Sequence, residues 1–240
     1  PGFSAHSIPA HTIPVSSLAT ICVCTPNVAT PLRVLALIHP QYAVFPDGTV
    51  YIIEANPRAS RTVPFVAKAI GHPIAKYASL IMAGATLKEL NFTEEVKLNH
   101  VAVKEAVLPF DKFPGADTLL GPEMRSTGEV IGLDRDFNVA YAKAQIAAGQ
   151  RLPTSGKVFI SVRDSDKPAI LDVAKQFHEL GMTVVATGGT AKTIEAAGVP
   201  VTVAPKIHES RPHIGDMLRD GDISLMIVTS SGDEADMKDG

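Results

Sequence analysis

The stretch His39-Pro-Gln-Tyr-Ala-Val-Phe-Pro-Asp-Gly-Thr-Val-Tyr-Ile-Ile-Glu-Ala-Asn56 leaves the backbone little choice. Two apolar, β-prone runs flank Asp47-Gly48, a dipeptide suited to a two-residue hairpin turn, whose central positions need positive φ. Such a turn opposes Gln41 to Glu54 and His39 to Asn56. Glu54 and Asn56 stand two apart on one strand, so their side chains leave the same face. One carboxylate and two amides, all hard oxygen donors, thus gather on one patch of an apolar hairpin. That set suits Mg2+, which takes oxygen ligands and substrate phosphate. The same residues could equally be the solvated polar face of a half-buried sheet.

The residues just after the hairpin narrow the choice. Asn56-Pro57-Arg58-Ala59-Ser60-Arg61-Thr62 ends the strand at the proline and sets two arginines just beyond it. Guanidinium groups clamp carboxylate or phosphate oxygens in a fork and stabilise charge that develops in phosphoryl transfer. Exposed arginines are common, and either alone says little. Metal donors joined at once to paired arginines describe a site for a phosphorylated, negatively charged intermediate.

Beyond residue 156 the pattern changes to a regular alternation. Lys157–Val162, Met182–Ala186, Val199–Ala204 and Ser224–Val228 read as short apolar strands. Lys167–Leu180, a segment ending at Gly198, and His213–Asp220 read as helices between them. Strands alternating with helices predict a parallel sheet covered on both faces. Gly149-Gln150-Arg151-Leu152-Pro153-Thr154-Ser155-Gly156 is turn-forming and polar, and reads as the linker. The expected domains are therefore 1–148 and 157–240. Thr187-Gly188-Gly189-Thr190 follows a strand and opens a helix, where free N–H groups and hydroxyls can hold an anion. An ordinary strand–helix turn would look the same. Lys167, Lys206, Thr229 and Ser230 fall near the carboxyl ends of strands, where side chains of a parallel sheet converge.

Composition excludes several classes. With 240 residues, 45% hydrophobic and 20% charged, the chain has room for two small cores. A net charge of −3 gives no global attraction to nucleic acid. Val66–Ala85, the most apolar helical stretch, carries Lys68, His72 and Lys76 and does not span a membrane. Cys22 and Cys24 are too few for a disulfide framework or a closed zinc site, which points to a reducing compartment. The chain opens at Pro1 without methionine or a basic-then-apolar leader and reads as a piece of a longer protein.

Ile53-Glu54-Ala55-Asn56-Pro57-Arg58-Ala59-Ser60-Arg61-Thr62-Val63-Pro64-Phe65 resembles the signature of the ATP-grasp domains of carbamoyl-phosphate synthetase. Leu108-Pro109-Phe110-Asp111-Lys112-Phe113 and Leu120-Gly121-Pro122-Glu123-Met124-Arg125-Ser126-Thr127-Gly128-Glu129-Val130 are similar to its second synthetase unit. The resemblance implies an α/β and α+β protein: the antiparallel C-terminal subdomain of an ATP-grasp domain, then an open parallel-sheet, methylglyoxal-synthase-like domain, incomplete at its C-terminus. By the same resemblance Gln41, Glu54 and Asn56 fall on Mg2+ or Mn2+ ligands, with Glu54 bridging metal and nucleotide phosphates. Arg58 and Arg61 fall on the arginines that hold the carbamate-derived substrate and the transferred phosphoryl group. The implied reaction phosphorylates carbamate with ATP, giving carbamoyl phosphate and ADP. The parent enzyme uses bicarbonate and ammonia, usually drawn from glutamine by a glutaminase small subunit, and serves arginine or pyrimidine synthesis. A cytoplasmic location is expected, or a mitochondrion or plastid in a eukaryote.

In the second domain the resemblance makes Lys167, Thr187, Thr190, Lys206 and Ser230 contacts of a regulatory nucleotide such as UMP or IMP. Val228 stands where the family often has asparagine. Glu105 matches an acidic residue that binds ornithine in some members, but Phe3 replaces its partner acid, so ornithine activation is not expected. Residues 1 to about 38 fit the family poorly. Leu18–Ala36, with Pro26 and Pro31, lacks the periodicity of the helix expected there. The chain by itself is expected to have little ligase activity. The alternative is a stand-alone nucleotide-binding regulatory module. A third reading, methylglyoxal synthase, needs a carboxylate base after the fourth strand, where Val228-Thr229-Ser230-Ser231 stands instead.

Overall fold

The computed structural model describes residues 6–116 and 124–229. The chain divides into two compact units, Pro1–Arg151 and Leu152–Gly240, each with its own sheets and core. Among the described residues no helix is long and apolar enough to cross a membrane.

The first unit runs β1 (His6–Ile8), α1 (Val15–Ala29), β2 (His39–Val44), β3 (Val50–Asn56), α2 (Thr62–Ile70), α3 (Ile74–Met82), β4 (Val101–Val107), β5 (Gly128–Asp134) and α4 (Phe137–Ala147). β1, β4 and β5 form an antiparallel sheet with β4 in the middle, while β2 and β3 form a separate antiparallel hairpin. Alternation along β4 splits its burial. Ala102 packs with Phe65 and Ala69 of α2, and Val103 packs with Ala140 and Ala144 of α4. Both faces are covered, which explains why the strand reads as almost continuously apolar. Under α4 lies Gly132, where a Cβ would collide with the Ala140 carbonyl oxygen and stand 2.6 Å from the Ala144 nitrogen. The glycine is there so that helix and strand backbones can touch.

Helix α1 corrects the first part of the expectation that Leu18–Ala36 is not helical, while residues 30–36 are non-helical as expected. The helix spans Val15–Ala29 with Pro26 inside it. Pro26 cannot bond to the carbonyl four residues back, but it sits late in the helix, and the Thr30 N–H still closes on its carbonyl at 2.9 Å. Periodicity failed as a signal because Ser17 is the helix's one buried residue. Two hydroxyl bonds tie α1 down instead: Ser17 Oγ donates to the Gly48 carbonyl at 3.1 Å, and Thr25 Oγ1 lies 2.8 Å from the Tyr42 hydroxyl.

The second unit runs β6 (Lys157–Ser161), α5 (Lys167–Glu179), β7 (Thr183–Ala186), α6 (Gly188–Ala196), β8 (Thr202–Val203), α7 (Ile214–Arg219) and β9 (Ile223–Val228). The sheet order is β8-β7-β6-β9, with every neighbouring pair parallel. Val158, Ile160 and Val184 face one core with Ile170 and Ile194, and Phe159 and Val185 face the other with Ile214. The expected parallel sheet covered on both faces is present. Its third strand is shorter than Val199–Ala204. β8 lies at the sheet edge, and Pro200 and Pro205, which have no N–H to give a ladder, bracket it.

Candidate functional site

The hairpin reaches the expected pairing by another route. The expected two-residue turn is corrected: Phe45 N–H bonds to the Thr49 carbonyl, and Gly48 N–H bonds back to Phe45, which makes a three-residue loop. Gly48 takes φ of 87°, and an Asp47 oxygen accepts the Thr49 N–H at 2.9 Å. From that loop the ladder pairs Val44 with Val50 and Tyr42 with Ile52. Continued unbroken, it would oppose Gln41 to Ile53. A bulge at the Gln41/Tyr42 step absorbs one residue of β3, so that Gln41 faces Glu54 and His39 faces Asn56.

Gln41, Glu54 and Asn56 therefore share a neighbourhood. Asn56 Nδ2 donates to Glu54 Oε1 at 2.8 Å, and Glu54 is exposed. One carboxylate and two amides in opposed or adjacent positions suit a hard cation, with Glu54 supplying the charge and the amides neutral oxygens. Beside them lies an open cleft of about 660 Å3 lined by Gln41, Arg58 and Arg61 together with Lys104, Met124 and Glu129. Glu54 and Asn56 are not among its lining residues. Arg58 bonds to the Ala59 carbonyl at 3.1 Å, and the Arg61 guanidinium meets the Met124 sulfur. The structure thus gathers Gln41 and both arginines at one cleft, with the Glu54–Asn56 pair across the hairpin from Gln41 and His39.

Sequence reasoning missed Lys104 and Glu129. Lys104 reaches Glu129 at 3.0 Å, and its side chain is only 7% exposed. A lysine inside Val101-Ala102-Val103-Lys104 was the available signal, because a buried ammonium needs a partner. Glu105, the next residue, points to the other face of β4. One of its oxygens accepts the Ala106 N–H at 3.1 Å and the other accepts Gln145 Nε2 at 2.8 Å.

In the second unit the residues singled out lie at the carboxyl ends of β6 and β7 and around them. Ser161 Oγ and Thr187 Oγ1 are 3.1 Å apart. Thr190 is buried, accepting the Val162 N–H at 3.2 Å and donating to the Val162 carbonyl at 3.4 Å. Lys167 Nζ pairs with Asp164 at 2.7 Å and lies 3.4 Å from where a Cβ on Gly189 would be. Lys206 follows β8, and its backbone N–H bonds to Glu209 at 2.9 Å. Thr229 Oγ1 accepts the Arg163 N–H at 3.1 Å, and the Thr229 hydroxyl is the main reason the Asp166 carboxyl sits below its ordinary value. Ser161, Arg163, Asp164 and Asp166 were not singled out from sequence, because polar residues after a strand look like any solvated loop. Ser230 lies outside the described residues.

Comparison with known proteins bears on both units. Residues 4–90 match the family "Carbamoyl-phosphate synthase L chain, ATP binding domain", and residues 169–240 match "MGS-like domain". The chain is 56% identical over its whole length to the arginine-specific large chain of carbamoyl phosphate synthase, chloroplastic, of Oryza sativa subsp. japonica. Across 98% of the chain it is 50% identical to the large chain, C-terminal section, of Methanocaldococcus jannaschii. Over its own length this chain matches the carbamoyl phosphate synthase large chain. It spans 20% of the rice protein and 40% of the archaeal section. A Nostoc large chain is 53% identical across 98% of the chain, which spans 22% of it. Residues 4 to 38 fall within the ATP-binding match, so the expectation that the first 38 residues fit poorly is corrected along with the helix. The carbamoyl phosphate synthase match covers the hairpin donors and both arginines of the cleft.

Proposed function

We propose that this chain forms the metal- and phosphate-binding end of the ATP-grasp site that makes carbamoyl phosphate, joined to a nucleotide-effector domain. The observation that carries this reading is the opposition of Gln41 to Glu54, with Asn56 bonded to Glu54, beside a cleft lined by Arg58 and Arg61. Gln41, Glu54 and Asn56 would hold Mg2+ or Mn2+. Bound there with ATP, the cation would neutralise phosphate charge. Arg58 and Arg61 would grip the carbamate and the phosphoryl group in flight, holding both in line. A carbamate oxygen then bonds to the γ-phosphorus as the bond to ADP breaks. ATP follows from the ATP-binding match, and bicarbonate-derived carbamate and a glutaminase partner are what the family resemblance implies. The rice and Arabidopsis relatives, named arginine-specific and chloroplastic, favour arginine synthesis in a plastid over pyrimidine synthesis.

The second reading, a stand-alone nucleotide-binding module, is favoured by Ser161, Thr187 and Lys167 at the rim of the parallel sheet. Calorimetric titration of the full chain separates the two. The first reading expects Mn2+·ATP binding that Glu54→Gln abolishes. Binding of UMP or IMP alone, with no response to Mn2+·ATP, would leave only the regulatory module.

A further inference from the structure

The bulge that brings Gln41 opposite Glu54 sits at the Gln41/Tyr42 step. A bulge interrupts a ladder at one position among several that differ little in backbone bonding, and a shift of one step turns side chains to the other face. Here, moving the bulge toward the end of β3 would pair Gln41 with Ile53 and Glu54 with Pro40, removing an amide from the oxygen cluster. Something must fix its position. Tyr42 is the strand residue at the step, and its hydroxyl lies 2.8 Å from Thr25 Oγ1 on α1. Thr25 Oγ1 also bonds to the Ile21 carbonyl at 2.8 Å, which occupies its single proton. Tyr42 therefore donates and Thr25 accepts, giving a directed chain from the hairpin into the helix. At the other end of the hairpin, Ser17 holds the Gly48 carbonyl from the same helix. Tyr42 also lines the cleft that Gln41, Arg58 and Arg61 line.

We propose that Tyr42 and Thr25 are positioning residues that pin the bulge and so hold Gln41 opposite Glu54. The inference rests on the metal-site reading above. The Ser17 and Thr25 bonds make α1 a brace along the hairpin, anchored at the loop and at the bulge.

The test is Mn2+ binding to the full chain, measured by electron paramagnetic resonance well below the unfolding temperature, so that every variant is folded. Tyr42→Phe and Thr25→Val each remove one side of the bond and keep the shape. Each is expected to weaken Mn2+ about fivefold, the worth of one hydrogen bond. The double variant should be no weaker than either single one, and Thr25→Ser should restore the affinity. A merely structural bond would lower the melting temperature and leave the Mn2+ affinity untouched, and that result overturns the proposal. If the wild type fails to bind Mn2+, or if Glu54→Gln binds it equally well, the metal-site reading falls and this inference with it. Binding that Glu54→Gln abolishes but Tyr42→Phe leaves unchanged sinks the inference alone.

Discussion

The Asn56 amide donates to the Glu54 carboxylate across 2.8 Å, so two of the three proposed metal donors already hold one another. Asn56→Asp would replace that bond with two like charges on one face, a repulsion that a bound cation relieves. The expected result is a lower melting temperature without metal and a larger Mn2+-induced rise than in wild type. Glu54→Gln should show no rise. Thermal unfolding with and without Mn2+ checks both, and equal rises in all three proteins would contradict the site.

Lys104 and Glu129 are unequal partners, one nearly buried and the other 28% exposed at its side chain. Removing the exposed partner strands the buried charge, while removing the buried one removes the problem. Glu129→Gln should therefore destabilise by about 1–3 kcal/mol, less than for a fully buried pair because Glu129 still meets water. Lys104→Met should cost less. Denaturant unfolding of the two variants gives the order, and the reverse order would mean that Lys104 has other means of support.

The Asp166 carboxyl lies below its ordinary value of 3.8, first through the Thr229 hydroxyl and then through Arg163 and Ser165. A depressed value in the folded state means that ionised Asp166 stabilises the fold above the ordinary value. That stabilisation fades as pH falls through the lowered one. The melting-temperature gap between wild type and Asp166→Asn should be constant from about pH 7 to 5 and close as the solution is acidified below about pH 4. A gap independent of pH would show that the ionised form is not what the loop recognises.

Gly132 faces the backbone of α4 so closely that a methyl group there has no room. Gly132→Ala should destabilise the first unit by about 1–3 kcal/mol, as overpacking does, read as a fall of several degrees in its melting temperature. An unchanged melting temperature would mean that α4 can slide away without loss.

The parallel sheet was legible because each strand of β6, β7 and β9 is a short apolar run between helical segments, and its buried residues alternate between two cores. The pairing of Gln41 with Glu54 was legible too, though the turn was misread. A tight turn with an even ladder and a wider loop with a bulge give the same pairs at the far end. Nothing in Asp47-Gly48 separates them, since the choice depends on what α1 holds. That helix was itself illegible, because Ser17 and Thr25 dock through hydroxyls, which leave no hydrophobic period to read. Lys104 and Glu129 stayed hidden for a different reason: their meeting depends on the β4–β5 register, which joins strands twenty residues apart.

At Gly132 α4 meets bare main chain, beside the Val103 side chain that packs on Ala140 and Ala144. Gln145, one residue past the contact at Ala144, donates its amide to the Glu105 carboxylate on β4. A side chain added at 132 would therefore have to displace the helix that carries the amide partner of Glu105.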